Sequence, residues 1–99
     1  MNTIAQDKEF LSSPEFRTQL VELGVVVGVQ LPDGPSTVLV ADFDSELAMG
    51  RITRWDNGGC HLQVIRLADG VTTYERNLSD VTFDGFKSAI PPFLSAMKS

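Results

Sequence analysis

Residues 48–78, AMGRITRWDNGGCHLQVIRLADGVTTYERNL, contain three strand-length segments separated by two glycine-containing connections. The segments 48–55, 60–67 and 71–78 carry β-branched and aromatic residues typical of strands. Connections of three or four residues are short enough to join antiparallel neighbours. This part of the chain therefore predicts a three-stranded antiparallel meander.

The register of the first hairpin depends on its turn. We expect residues 56–58 to form a type I turn closed by Gly58 in the left-handed conformation, which pairs Trp55 with Gly59 and places Ile52 opposite Leu62. A two-residue turn would instead set Ile52 against a polar residue. The same turn geometry at 68–70 predicts the pair Leu67–Val71.

These registers separate the meander into an apolar and a more polar face. Cys60 lies on the apolar face, where a small core residue is expected rather than a reactive thiol, and His61 points the other way, so the two cannot bind one metal ion together. The apolar face carries Gly50, Ile52, Cys60, Leu62, Val64, Tyr74 and Leu78. The opposite face carries Met49, Arg51, Thr53, Trp55, His61, Gln63, Ile65, Thr73, Glu75 and Asn77.

The segments before the meander predict helix and then a hairpin. Ser13 as N-cap, Pro14 at the first helical position and Gly24 as the stop define a helix, preceded by a separate short helical turn within residues 3–11. The β-branched stretches 25–31 and 37–43 flank a turn at 32–36.

The final segment predicts a helix that starts at Thr82 as N-cap and is kinked or split by Pro91-Pro92. The expected fold is α+β: an N-terminal helix, a five-stranded antiparallel meander sheet and a C-terminal helix, with the helices on one sheet face. Residues 1–99 are expected to form a single domain.

Composition and charge exclude several classes of partner. The chain is 42% hydrophobic with a net charge of −5, and the charge is uneven: residues 1–46 hold eight acidic and two basic side chains, residues 47–99 five and six. Nucleic acid and anionic membranes are poor partners for such a chain, whereas a basic protein could be steered to its first half. The absence of a signal-like or membrane-spanning apolar segment predicts a cytoplasmic protein.

No nucleophile motif, phosphate-binding glycine loop or metal-ligand spacing occurs in the sequence, so we expect no catalysis, cofactor, metal or small-molecule substrate. Three carboxylates in 42–46 could bind a cation, cap a loop or face a partner. The polar sheet face is either a solvated surface with cross-strand pairs or a partner site in which an exposed Trp anchors the contact. The candidate partner-binding residues are Asp42, Asp44, Glu46, Arg51, Trp55, His61 and Glu75.

Residues 50–78, GRITRWDNGGCHLQVIRLADGVTTYERNL, followed by FDGFKSAIPPFLSAM at 83–97, resemble the immunity proteins of bacterial polymorphic toxins, most closely the TriTu immunity family. The similarity covers about half of the chain and lies in the order of strand, Trp, Gly turn, Cys, strand, Gly turn, aromatic strand and final helix.

The resemblance implies a cytoplasmic protein that acts in interbacterial competition by binding a cognate toxin domain, in a 1:1 complex that occludes the toxin's active-site cleft. It further implies that the toxin is an ADP-ribosyltransferase, carried on an Rhs protein by a type VI secretion system and acting on elongation factor Tu. An acidic secretion chaperone, usually dimeric, is the alternative. An enzyme acting through Asp42, Asp44 and His61 is a third option.

Overall fold

The computed structural model describes residues 4–30 and 38–98. The class is α+β, as predicted, with the N-terminal helical region divided into two helices. The turn predicted at 32–36 lies outside the described residues. In chain order the elements are α1 (Ile4–Leu11), α2 (Pro14–Leu23), β1 (Val26–Gln30), β2 (Val38–Asp44), β3 (Ala48–Trp55), β4 (Cys60–Arg66), β5 (Thr72–Leu78) and α3 (Phe83–Met97).

The five strands form one antiparallel sheet in which neighbours in the chain are neighbours in the sheet. The predicted meander is confirmed. Ile52 pairs with Leu62, Gly58 is left-handed with a φ of 98°, and the Trp55 N–H donates to the Gly59 carbonyl at 2.9 Å. The predicted bulged turn therefore fixes which side chains of β3 and β4 face the core.

Close to its turn, the second hairpin differs from the predicted register by one residue. Ile65 pairs with Thr72 rather than Thr73, and the Arg66 N–H donates to the Val71 carbonyl at 2.9 Å, so the predicted Leu67–Val71 pair is wrong.

The cause of this difference is a side chain in the turn. The Asp69 carboxylate accepts hydrogen bonds from the Val71 N–H at 3.1 Å and from the Arg66 guanidinium at 2.7 Å, which closes a longer turn. A bulge between Ile65 and Val64 then restores the register, so Tyr74 still pairs with Val64 as predicted.

The inner face of the sheet is the face on which the helices pack. Burial alternates along β2, β3 and β4, as expected for strands with one face against a core. The inner-face side chains form one buried cluster with side chains of all three helices, among them Leu11, Leu20 and Phe93. The helices are therefore on one face, which leaves the opposite, outer face of the sheet for the polar residues.

The helix ends follow the sequence signals, and one predicted break does not occur. The Ser13 and Thr82 hydroxyls accept hydrogen bonds from the N–H groups of Phe16 and Gly85, and Gly24 ends α2 with a φ of 73°. Of the kink or split predicted at Pro91-Pro92, the split is wrong, since α3 is continuous through both prolines. Both prolines are exposed, so water can reach the carbonyls that lose their donors. Among the described helices, none is long and apolar enough to cross a membrane.

Candidate protein-binding surface

The outer face is built by the pleat of the strands. In β3 the inner positions are buried, while Met49, Arg51 and Trp55 alternate with them and are exposed. Val40 and Asp42 of β2 and His61, Gln63 and Ile65 of β4 lie on the same face and are half-buried. The result is a sheet surface whose backbone is fixed by hydrogen bonds and whose side chains remain accessible to a partner.

An ion pair lies at the centre of this face. Asp42 and Arg51 are directly opposite each other in β2 and β3, and the Arg51 Nε donates to the Asp42 Oδ1 at 2.7 Å. This hydrogen bond and the carboxylate charge raise the pKa of Arg51. Because both side chains are solvent-accessible, the pair orders the surface more than it stabilises the fold.

A second polar pair lies beside the first. His61 Nε2 is 2.9 Å from Glu75 Oε2, which gives an ion pair when the imidazole is protonated. Gln63 links the two pairs, since it is opposite Arg51 on one side and Glu75 on the other. Four of the seven predicted site residues, Asp42, Arg51, His61 and Glu75, are thus brought together.

The other three predicted residues lie at opposite ends of the face. Asp44 ends β2 opposite Met49, and Glu46 lies in the following turn. Trp55 pairs with Val38, which lies six residues before Asp44 in β2. At the usual strand rise, Trp55 is therefore roughly 20 Å from Asp44. Asp44 and Glu46 therefore lie at one end of the outer face and Trp55 at the other.

Asp7 and Arg54 form a buried ion pair that the sequence pattern does not predict. Both side chains are fully buried, and the Arg54 Nε donates to the Asp7 Oδ2 at 2.6 Å. Burial raises the pKa of Asp7, against the hydrogen bond and charge of Arg54. The alternation of β3 places Arg54 on the inner face, beside Ile52 and opposite Cys60, so its burial could be predicted. No spacing in the chain indicates that Asp7 is its partner.

The described residues contain no cluster of three or more His, Cys, Asp or Glu side chains that could hold a metal ion. Asp42 is already paired with Arg51. Cys60 is 1% exposed, and burial raises the pKa of its thiol to about 11, so it is protonated at neutral pH. The arrangement is suited to contact with another macromolecule.

Comparison with known families agrees with the resemblance seen in the sequence. The sequence model of the family described as Immunity protein TriTu matches residues 3–96. The match includes the N-terminal helices and β1, which lie outside the part of the chain that carried the resemblance. No curated protein matches the chain.

Proposed function

The chain belongs to the TriTu immunity protein family, and from this premise we propose that it binds its cognate toxin domain in a 1:1 complex in the cytoplasm and neutralises it. The proposed toxin is an ADP-ribosyltransferase that modifies elongation factor Tu and reaches the cell on an Rhs carrier through type VI secretion. The inhibitor acts by covering the toxin's NAD or target cleft, without chemistry of its own.

The observation that carries the binding proposal is the outer face of the sheet. None of the described helices packs on it, and its central side chains are held in two polar pairs, Asp42–Arg51 and His61–Glu75. A surface that is already ordered loses little conformational entropy on association. The proposed contact surface includes these four residues together with Asp44, Glu46 and Trp55.

The test is co-expression with the toxin encoded beside the gene for this chain. We expect growth to be restored, modification of elongation factor Tu to disappear from the lysate, and a stoichiometric complex to be recovered on purification. Adding the purified chain to purified toxin should then abolish ADP-ribosylation at equimolar concentration.

Two results would contradict the proposal. Growth arrest in spite of a stable complex would favour a secretion chaperone, which holds an effector without neutralising it. Inhibition at a small fraction of the toxin concentration would indicate that the chain acts catalytically rather than by occupying a surface.

A further inference from the structure

One end of the outer face carries a group of apolar side chains, here called the apolar corner: Leu47, Met49, Ile65 and Leu67. Leu47 is 55% exposed, Met49 50% and Leu67 48%, and Ile65 is half-buried. Met49 and Ile65 are directly opposite in β3 and β4, and the Leu67 N–H donates to the Leu47 carbonyl at 3.0 Å. Four neighbouring apolar side chains are thus held in place by sheet hydrogen bonds.

The surface is concave at the apolar corner. Leu47 and Leu67 line a depression of about 360 Å³ together with Glu46, Arg66 and Ala68. Met49 and Ile65 border a second depression, of about 190 Å³, on the outer face. Exposed apolar surface in contiguous patches with a polar rim is typical of protein-binding sites, and depressions of this kind accept side chains of a partner.

The rim of the apolar corner carries unbalanced negative charge. The two arginines nearest to it are already engaged, Arg51 by Asp42 at 2.7 Å and Arg66 by Asp69 at 2.7 Å. Asp44 lies opposite Met49 and Glu46 adjoins Leu47, and within residues 4–30 and 38–98 neither carboxylate is in an ion pair.

The basic residue Lys98 lies on the helical side of this end. Lys98 borders a neighbouring depression that Glu46 also lines, but it forms no ion pair with Glu46 in the described part of the chain. The two carboxylates on the rim therefore remain available to basic side chains of a partner.

We propose that the apolar corner is the anchor of the toxin interface, and that it takes a protein surface with apolar side chains at its centre and Lys or Arg at its edge. This inference rests on the proposed function, since it names the part of the outer face that contributes most to binding. Hot spots cluster in one compact region, and Trp55 is too far away to share it. The rim carboxylates fit a basic partner and accelerate its approach.

The test measures the affinity of the full-length chain for the catalytically inactivated toxin domain encoded beside its gene. We expect Leu67→Ala and Met49→Ala each to weaken binding by about ten-fold or more, as hot-spot truncations do. Val21→Ala is the matched control, because Val21 is 75% exposed but lies on α2. That control should stay within about three-fold of the parent chain.

The charge of the rim is tested separately by the double variant Asp44→Asn, Glu46→Gln. We expect slower association and a smaller dependence of the association rate on salt, because steering by exposed charges is screened by ions. All of these substitutions are at exposed positions, so melting curves should match that of the parent chain.

The outcomes separate the inference from the proposed function. If the parent chain binds and the corner variants bind equally well, the apolar corner is not the anchor and the proposed function stands. If the parent chain does not bind the toxin domain, both are overturned. If sedimentation shows that the chain alone forms dimers and the corner variants do not, the corner takes a second copy and the inference is overturned.

Discussion

Cys60 illustrates at the scale of a residue what burial does to a titratable group. It lies on the inner face of β4 between Arg54 and Leu78 of the neighbouring strands, and is 1% exposed. Burial raises the pKa of the thiol from 9.0 to about 11, while the charge of Arg54 opposes the rise. The thiol is therefore protonated and unreactive at neutral pH.

This pKa shift predicts a loss of stability at alkaline pH. Between pH 9 and 11 the folded state keeps the proton of the thiol, while the unfolded state releases it. The contribution of the thiol to the free energy of unfolding is therefore fully present below the unfolded-state pKa and is lost as the pH rises towards the folded-state pKa. We expect a loss on the order of 2 kcal/mol. Urea denaturation near pH 8 and pH 10.5 measures it.

Cys60→Ala is the control, because the two chains differ only in the thiol. The variant should lose less stability than the parent chain over this interval. Equal losses would mean that the thiol ionises as easily in the folded state as in the unfolded one.

At the scale of elements, the contact between β3 and α3 is close because Gly50 has no side chain. A Cβ added at Gly50 would lie 2.6 Å from the Phe93 Cζ and 2.8 Å from the Met97 Sδ. Phe93 also packs edge-on against Phe43 of β2, with ring centroids 4.9 Å apart. The helix is thus seated directly on the backbone of β3.

Gly50→Ala is therefore expected to lower the free energy of unfolding by about 1–3 kcal/mol, since the buried aromatic ring must shift to admit the methyl group. Gly28→Ala is the matched control in the same sheet, because nothing lies within 4 Å of the added Cβ there. It should be neutral or slightly stabilising. Similar urea midpoints for the two variants would show that α3 does not approach β3 so closely.

The sequence predicts those features of the elements that neighbouring residues determine, and it does not predict those that depend on contacts made in the folded structure. The faces of β3 and β4 follow from alternation and from the turn at Gly58, both of which are local, and the candidate site residues Arg51, Trp55 and His61 could be chosen from that pattern. The bulge in the β4–β5 pairing, between Val64 and Ile65, could not be predicted, because it depends on the hydrogen bonds that Asp69 makes within its turn. Continuity of α3 through Pro91 and Pro92 depends on which side of the helix faces solvent.

The arrangement of the candidate surface was predictable only in part, because the strand pattern shows which residues share a face but not how far apart they lie. Placing Arg51, His61 and Glu75 on one face required only the meander register. The distance between Asp44 and Trp55 depends on how β2 pairs with β3, and that register follows the turn in which the Ala48 N–H donates to the Ser45 hydroxyl at 3.1 Å.

At the scale of the whole molecule, Arg54 joins three segments that are distant in the chain. Its guanidinium donates to Asp7 of α1, to the Gly58 carbonyl in the β3–β4 turn at 3.0 Å, and to the Val81 carbonyl before α3. It also lies 5.6 Å from the centre of the Phe86 ring. The position of both helical regions on the sheet is therefore coupled to one buried charge.

The Asp7 carboxylate is the counter-charge of this network, so its removal should affect the entire fold. We expect Asp7→Ala to lower the free energy of unfolding by about 3–5 kcal/mol, because Arg54 stays buried without a compensating charge. Glu22→Ala, at an exposed position of α2, should change it by less than about 0.5 kcal/mol. Chemical denaturation followed by circular dichroism measures both.

A double variant separates the effect of the charge from that of lost packing. Asp7→Leu with Arg54→Met removes both buried charges and keeps apolar volume, so it should recover at least half of the stability lost in Asp7→Ala, since buried ion pairs can often be replaced by apolar residues. The recovery stays incomplete because the Val81 carbonyl loses its donor. If the double variant is no more stable than Asp7→Ala, packing of α1 rather than the unpaired charge of Arg54 accounts for the loss.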